Sequence, residues 1–209
     1  MPLHQRFNID EHTRILIWHI EEPLEVLKKD LKLSKADQIR FQKRKIISHQ
    51  KEFLASRRLL LEARISPLDL SHDLKNVPHL ESGQQLSISH TANLAGIALG
   101  TKPLGIDLEV YRTKIERIAP RFLHPNESFA LESPLKIEKL TLIWTAKEAL
   151  YKALKIKGIV FSEQLLVAHF QWGETSGSAK VLISGKTLDF SLNFITEKAY
   201  CGTLATPKN

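Results

Sequence analysis

A chain of 209 residues with 43% hydrophobic content has ample material for one large core or two small ones. Its formal net charge of +7 points to an anionic partner, whether a nucleotide, an acidic protein or a nucleic acid. The single cysteine, Cys201, excludes an internal disulfide and a Cys-rich zinc cluster, and no apolar run reaches the roughly 18 residues of a bilayer span. The opening MPLHQRFNIDEH lacks the apolar core of a signal peptide, so the expectation is a cytoplasmic protein that does not enter the membrane.

RILIWHI, at 14–20, is apolar and β-branched enough for a buried first strand. A short helix is expected over about 24–33, and Ser34 is placed to cap a long helix over about 35–64, where Ile39, Ile46, Phe53, Leu54, Leu60 and Leu61 recur at helical spacing. The other faces of that helix carry Lys43, Arg44, Lys45, Lys51, Arg57, Arg58 and Arg64. A solvated cationic surface is the commoner reading for any one of them, and an anion cradle is the functional one.

Residues 66–83 read as loop, with Pro67, Pro78 and Gly83 as breakers. LSISH at 86–90 and AGIALG at 95–100 read as strands joined by a turn at Asn93, and Lys102 and Pro103 then turn the chain into GIDLE at 105–109. There Ile106, Leu108 and Val110 alternate with Asp107 and Glu109, so one strand face carries both carboxylates. Ser89, His90, Asp107 and Glu109 are expected on neighbouring strands.

A helix is expected over 114–122, and Pro125 opens another helical turn with Glu127 near its N-terminus. In WTAKEALYKAL, at 144–154, Leu140, Ile143, Leu150 and Leu154 form an apolar stripe, while Trp144, Glu148 and Lys152 fall at successive i+4 steps. After Gly158 four stretches read as β: LLVAHFQW, AKVLIS, TLDFSLNFI and YCGTLA. The order strand, helices, strands thus occurs twice, giving an α+β pair of similar halves, 1–104 and 105–209, with antiparallel sheets.

Asp107, Glu109 and Glu148 offer only hard oxygen donors, and with Lys152 they suit a hydrated Mg²⁺ that also takes substrate phosphates as ligands. Each has a plainer explanation: an edge strand's solvated face for Asp107 and Glu109, an ordinary helix pair for Glu148 and Lys152, a core position for Trp144, a strand-end histidine for His90 and a hydrogen-bonded hydroxyl for Ser89. Their joint occurrence favours the phosphate-handling site.

SISH, GIDLE and WTAKEALYK in that order resemble the 4′-phosphopantetheinyl transferase superfamily, most of all its monomeric, double-length type, which includes the enzyme activating surfactin synthetase. The resemblance is strongest over 86–155 and extends weakly back to FLASRRLLLEA. It implies a pseudo-twofold α+β fold with coenzyme A in a cleft between the halves. It also implies Mg²⁺-dependent transfer of the phosphopantetheine arm from coenzyme A to a serine of an apo acyl or peptidyl carrier protein. Carried over, Asp107, Glu109 and Glu148 hold the metal, Lys152 contacts the diphosphate, and His90 meets the phosphates with Ser89 nearby. Glu127 matches the acid of the family pattern that begins at Arg121 and Phe122.

Arg57, with Arg58 one register away, matches the arginine that contacts the 3′-phosphate of coenzyme A. Where many relatives carry G-K-P, this chain has NVP at 76–78, leaving Lys75 as the candidate substitute. Of the groups present, Lys152 sits among carboxylates and is a poor base, so Glu148 is the expected proton acceptor, directly or through a metal-bound water.

Two other functions fit parts of the pattern. A metal-dependent nuclease or phosphodiesterase also uses acids and a lysine around Mg²⁺, but its strand signature needs a lysine soon after the acids, and Val110 and Tyr111 stand there. A basic nucleic-acid-binding module leaves the clustered acids unexplained, because carboxylates repel a phosphate backbone. The expectation is therefore a transferase with no nucleic-acid partner.

Overall fold

The computed structural model describes residues 3–208, and the chain divides into two units, Met1–Thr101 and Lys102–Asn209, each an antiparallel sheet with helices, so that the fold is α+β.

In the first unit β1 (Leu3–Asn8) pairs antiparallel with β2 (Arg14–His19). β1 was not expected, and its burial explains why: positions 4–8 alternate between exposed and half-buried, so this edge strand carries no apolar period. β2 is the buried strand that its composition indicates, with Ile15, Leu16, Ile17 and Trp18 all inside.

α1 (Leu24–Lys28) stops well short of the expected end, and the chain turns at Asp30, whose φ is +58°. Ser34 caps α2 (Lys35–Gln42) by accepting a hydrogen bond from the Asp37 N–H. The long helix expected over 35–64 is in fact two, α2 and α3 (Ile47–Glu62). Ile46 is extended, with φ −96° and ψ 127°, and side chains satisfy the backbone at the break: Arg44 donates to the Arg40 carbonyl and Gln50 to the Arg44 carbonyl. Lys43, Arg44, Lys45 and Arg64 therefore lie outside the helical spans.

The expected loop over 66–83 contains a turn of 3₁₀ helix, Pro67–Asp69, and a two-stranded sheet of β3 (Leu70–His72) and β4 (Pro78–Leu80). β5 (Gln85–Thr91) and β6 (Leu94–Gly100) form the expected hairpin, turning at Ala92 and Asn93, both with positive φ. The sheet order is β1-β2-β6-β5, and α3 covers it with Phe53, Leu54, Leu59 and Leu60 against Leu16, Trp18, Ile97 and Leu99. Each such apolar side chain contributes about 1.5–3 kcal/mol by leaving water.

The second unit begins with β7 (Gly105–Val110), then α4 (Lys114–Ile118) continued by 3₁₀ turns at Ala119–Arg121 and Pro125–Ala130. α5 (Lys136–Leu154) is followed by α6 (Phe161–Gln164) and β8 (Leu165–Val167), β9 (Ser176–Ile183), β10 (Lys186–Thr196) and β11 (Tyr200–Pro207). Only the first three residues of LLVAHFQW are strand; beyond them Phe170 turns inward against Phe194 at 5.2 Å. The sheet order is β7-β11-β10-β9-β8, so β7 is an edge strand in this sheet, paired with β11 and lying under α5.

Gly105 is what allows that contact: a Cβ there would stand 2.0 Å from the Ala149 carbonyl oxygen, so no other residue fits without displacing the helix. No helix among the described residues is long and apolar enough to cross a membrane.

Candidate active site

Asp107 and Glu109 leave β7 on the face opposite Ile106 and Leu108, which are wholly buried. Asp107 is itself 7% exposed, and its Oδ1 is 2.7 Å from Lys152 Nζ. Lys152 also donates to the Ile106 carbonyl at 2.9 Å, so the ammonium bridges the strand backbone and its carboxylate.

Glu148, one helical turn before Lys152, completes the group. Burial pushes its carboxyl up to about 7, the charge of Asp107 adds to this, Lys152 opposes it and Glu109 raises it further. Three carboxylates thus share one electrostatic neighbourhood on α5 and β7, as the strand alternation and the helix spacing require. Among the described residues no three His, Cys, Asp or Glu side chains form a ready-made metal cluster. The donor set nevertheless fits a hard cation: it is all carboxylate, and its mutual repulsion is what such an ion would relieve.

Behind this face α5 is held by a network that spacing alone does not reveal. Lys147 and Glu127 are wholly buried and 2.7 Å apart; Lys147 also donates to the carbonyls of Phe122 and Phe161, while Glu127 accepts from the N–H groups of His124 and Val167. Glu127 is therefore an internal ion-pair partner with both oxygens engaged. Thr145 bonds Thr203 at 2.8 Å, tying α5 to β11. Trp144 is half-buried, edge-on to Phe122 with ring centres 5.1 Å apart, which is a packing role.

The remaining candidates lie in the first unit. Ser89 and His90 are on β5, opposite Gly96 and Ala95 of β6; Ser89 is 4% exposed, whereas the His90 side chain is half exposed, with Nδ1 3.2 Å from Glu52 Oε2. Lys75 is exposed on the turn between β3 and β4, where its N–H and that of Val77 bind the Asp73 carboxylate.

Arg57 is not a surface cation. It is 4% exposed, its Nε and Nη2 grip Asp37 at 2.8 and 2.9 Å, its Nη1 donates to Ser56, and its guanidinium lies 3.6 Å from the Phe53 ring centre. Arg58 is likewise committed, donating to the backbone carbonyls of Val26, Leu27 and Lys29. The cations that do face a concavity are Arg40, Lys43 and Arg44, which with Ala36, Ile39 and Asn76 line an open groove of about 440 Å³. Arg40 was not singled out by the sequence, and its hydrogen bond to Asn76, 36 positions away, leaves no local signal.

A search of curated proteins found no match to the chain. Residues 103–205, running from the approach to β7 through α5 to β11 and holding Asp107, Glu109, Glu148 and Lys152, match the model of the 4′-phosphopantetheinyl transferase superfamily, so this stretch is similar to that superfamily.

Proposed function

We propose that the chain transfers the 4′-phosphopantetheine arm of coenzyme A to a serine of an apo acyl or peptidyl carrier protein, releasing adenosine 3′,5′-bisphosphate. In this reading it is a Mg²⁺-dependent, monomeric enzyme of the holo-acyl-carrier-protein synthase kind. The observation that carries the reading is the gathering of Glu148, Asp107 and Glu109 around Lys152 within the matched domain.

The reaction forms a bond from the serine oxygen to the β-phosphorus of coenzyme A and breaks the bond from that phosphorus to the bridging oxygen, which leaves with the bisphosphate. Asp107, Glu109 and Glu148 would hold Mg²⁺, which when bound supplies positive charge for the diphosphate. Lys152, anchored on the Ile106 carbonyl and the Asp107 carboxylate, offers a further charged donor to the diphosphate oxygens as negative charge builds on them.

The serine must also lose a proton. Glu148 is the group we assign to that task, directly or through a water. The contacts to the nucleotide phosphates are assigned to His90 with Ser89, to Lys75 and to the cationic cluster around Arg57. There Arg57 braces Asp37 in α2, while Arg40 and Arg44 line the groove. Lys and Arg side chains also suit an acidic carrier, whose approach they would steer.

Intact-protein mass spectrometry of an apo acyl carrier protein incubated with the chain, coenzyme A and Mg²⁺, beside a sample with EDTA, tests this. A gain of one phosphopantetheine that disappears with EDTA is expected. No gain on carriers of the fatty acid, polyketide and nonribosomal peptide kinds would overturn the reading.

A further inference from the structure

Phe53 lies on α3 and is 2% exposed, and two guanidinium groups stand over its ring: Arg57, with Cζ 3.6 Å from the ring centre, and Arg44, with Cζ 4.4 Å from it. The two cations are held differently. Arg57 is neutralised by Asp37, whose two oxygens it takes through Nε and Nη2. Arg44 makes no ion pair among the described residues; the acids whose charge reaches it are Asp37 and Glu52, and these are engaged by Arg57 and His90. The side-chain hydrogen bond that Arg44 makes among the described residues runs from Nη1 to the Arg40 carbonyl.

A half-buried guanidinium without a carboxylate is costly, and burial, followed by the charges of Arg57 and Arg40, holds Arg44 below its usual range. His72 feels the same excess of positive charge: it is pushed down to about 4, by burial first and then by Arg40 and Arg57. What meets Arg44 is the ring. An aromatic face attracts a guanidinium and leaves the N–H groups in its plane unspent, whereas a carboxylate would hold the same group by taking its donors and offsetting its charge. With Arg40 and Lys43, Arg44 lines the open groove of about 440 Å³. We propose that Phe53 is a positioning residue for Arg44, a shelf that presents an un-neutralised guanidinium to this groove for a phosphate of coenzyme A.

Phe53 acts through Arg44 and does not itself touch the ligand, since almost none of its surface is open. In the sequence it is one more apolar residue in the stripe of α3, and Arg44 stands beyond the break that precedes that helix.

This inference rests on the assignment of the groove to coenzyme A phosphates in the proposed function, and the test separates the two. Fluorine draws negative charge from the ring face with little change of volume. Phenylalanine carrying one, two or three fluorines, placed at position 53 of the full chain by nonsense suppression, therefore weakens the attraction while keeping the core filled. Calorimetric titration with adenosine 3′,5′-bisphosphate should show affinity falling stepwise with fluorine number, by about fivefold in all. In Arg44→Gln the affinity should be lower from the start and indifferent to the fluorines.

A purely structural role for Phe53 would leave the affinity level across the series, and that result overturns the inference. A stepwise loss that persists in Arg44→Gln overturns it as well, because the ring would then act through another group. Level affinity in a chain that still transfers phosphopantetheine keeps the proposed function and removes the inference; stepwise loss in a chain that transfers nothing does the reverse. A wild-type chain that does not bind the bisphosphate overturns both.

Discussion

Lys147 Nζ lies 2.7 Å from Glu127 Oε2 with neither side chain exposed at all, one residue before the carboxylate at the centre of the candidate site. Successive helix residues diverge by roughly 100°, so the element that locks Lys147 inward also decides where Glu148 points. The pair and its carbonyl and N–H partners join α5 to the 3₁₀ turn at Pro125–Ala130, to the carbonyls of Phe122 and Phe161 and to β8. The consequence is a helix whose candidate-site face is set from behind.

Breaking that pair on one side should be severe. Glu127→Ala leaves a buried ammonium without its counter-charge and should cost about 3–5 kcal/mol, whereas exchanging both residues for apolar ones of similar volume should recover most of it. Chemical denaturation of Glu127→Ala, Lys147→Met and the double variant Glu127→Leu with Lys147→Met measures this. A single variant losing under about 1 kcal/mol would show that the interior around α5 solvates the orphaned charge.

The placement of the candidate residues on β7 and α5 was legible in the sequence, and the physical reason is periodicity. In β7 the apolar residues and the acids alternate at period two, and in α5 Glu148 and Lys152 stand one turn apart, so both faces can be read without tertiary information. What failed to show was either unperiodic or distant in sequence. β1 is an edge strand with no apolar rhythm, and the break between α2 and α3 falls where Ile46 and Ile47 continue the helical spacing but are exposed in the fold. Arg57 looked like any surface cation because its partner, Asp37, is 20 positions away, and the pairing of Glu52 with His90 is of the same kind. Contacts of that range depend on the fold and leave no local trace.

The raised carboxyl of Glu148 makes a stability prediction with a definite sign. Its folded value of about 7 lies above the ordinary 4.5, so the folded chain is penalised as pH rises from about 4.5 through 7, where the unfolded chain ionises freely and the folded one resists. Glu148→Gln removes the penalty. The metal-free variant should therefore melt higher than wild type at pH 8 by on the order of 1 kcal/mol after allowing for solvent screening, or roughly 2–4 °C, and match it at pH 5. Transfer should be abolished in the same variant. Calorimetric melting at both pH values, with EDTA, would refute the electrostatic account if the two proteins differed equally at each.

Lys152 is partly exposed, but its partner Asp107 is only 9% exposed, so Lys152→Met leaves a nearly buried carboxylate without its counter-charge and should cost about 3–5 kcal/mol of folding energy. If its ammonium meets the diphosphate, the variant should lose about 10²–10³ in kcat, the usual loss for one preorganised donor to a developing charge. Steady-state kinetics on a carrier substrate, beside thermal unfolding, checks this. Loss confined to KM would instead assign Lys152 to ground-state binding.

The tightest geometric demand in the second unit falls on Gly105, which opens the strand that carries Asp107. A methyl group there would stand 2.0 Å from the Ala149 carbonyl oxygen and 2.6 Å from the Ala153 nitrogen, both backbone atoms of α5 that no side-chain rotation can move aside. Gly105→Ala must therefore push β7 and α5 apart, and the overpacking should cost about 1–3 kcal/mol. The same movement should separate Asp107 from Lys152 and Glu148, so transfer should fall by at least 10²-fold even at temperatures where the variant is fully folded, because misplacements near 1 Å are enough for that. Thermal unfolding and single-turnover transfer on the same preparation decide the matter. A variant that is destabilised yet transfers at the wild-type rate would mean that the distance between β7 and α5 does not control the chemistry.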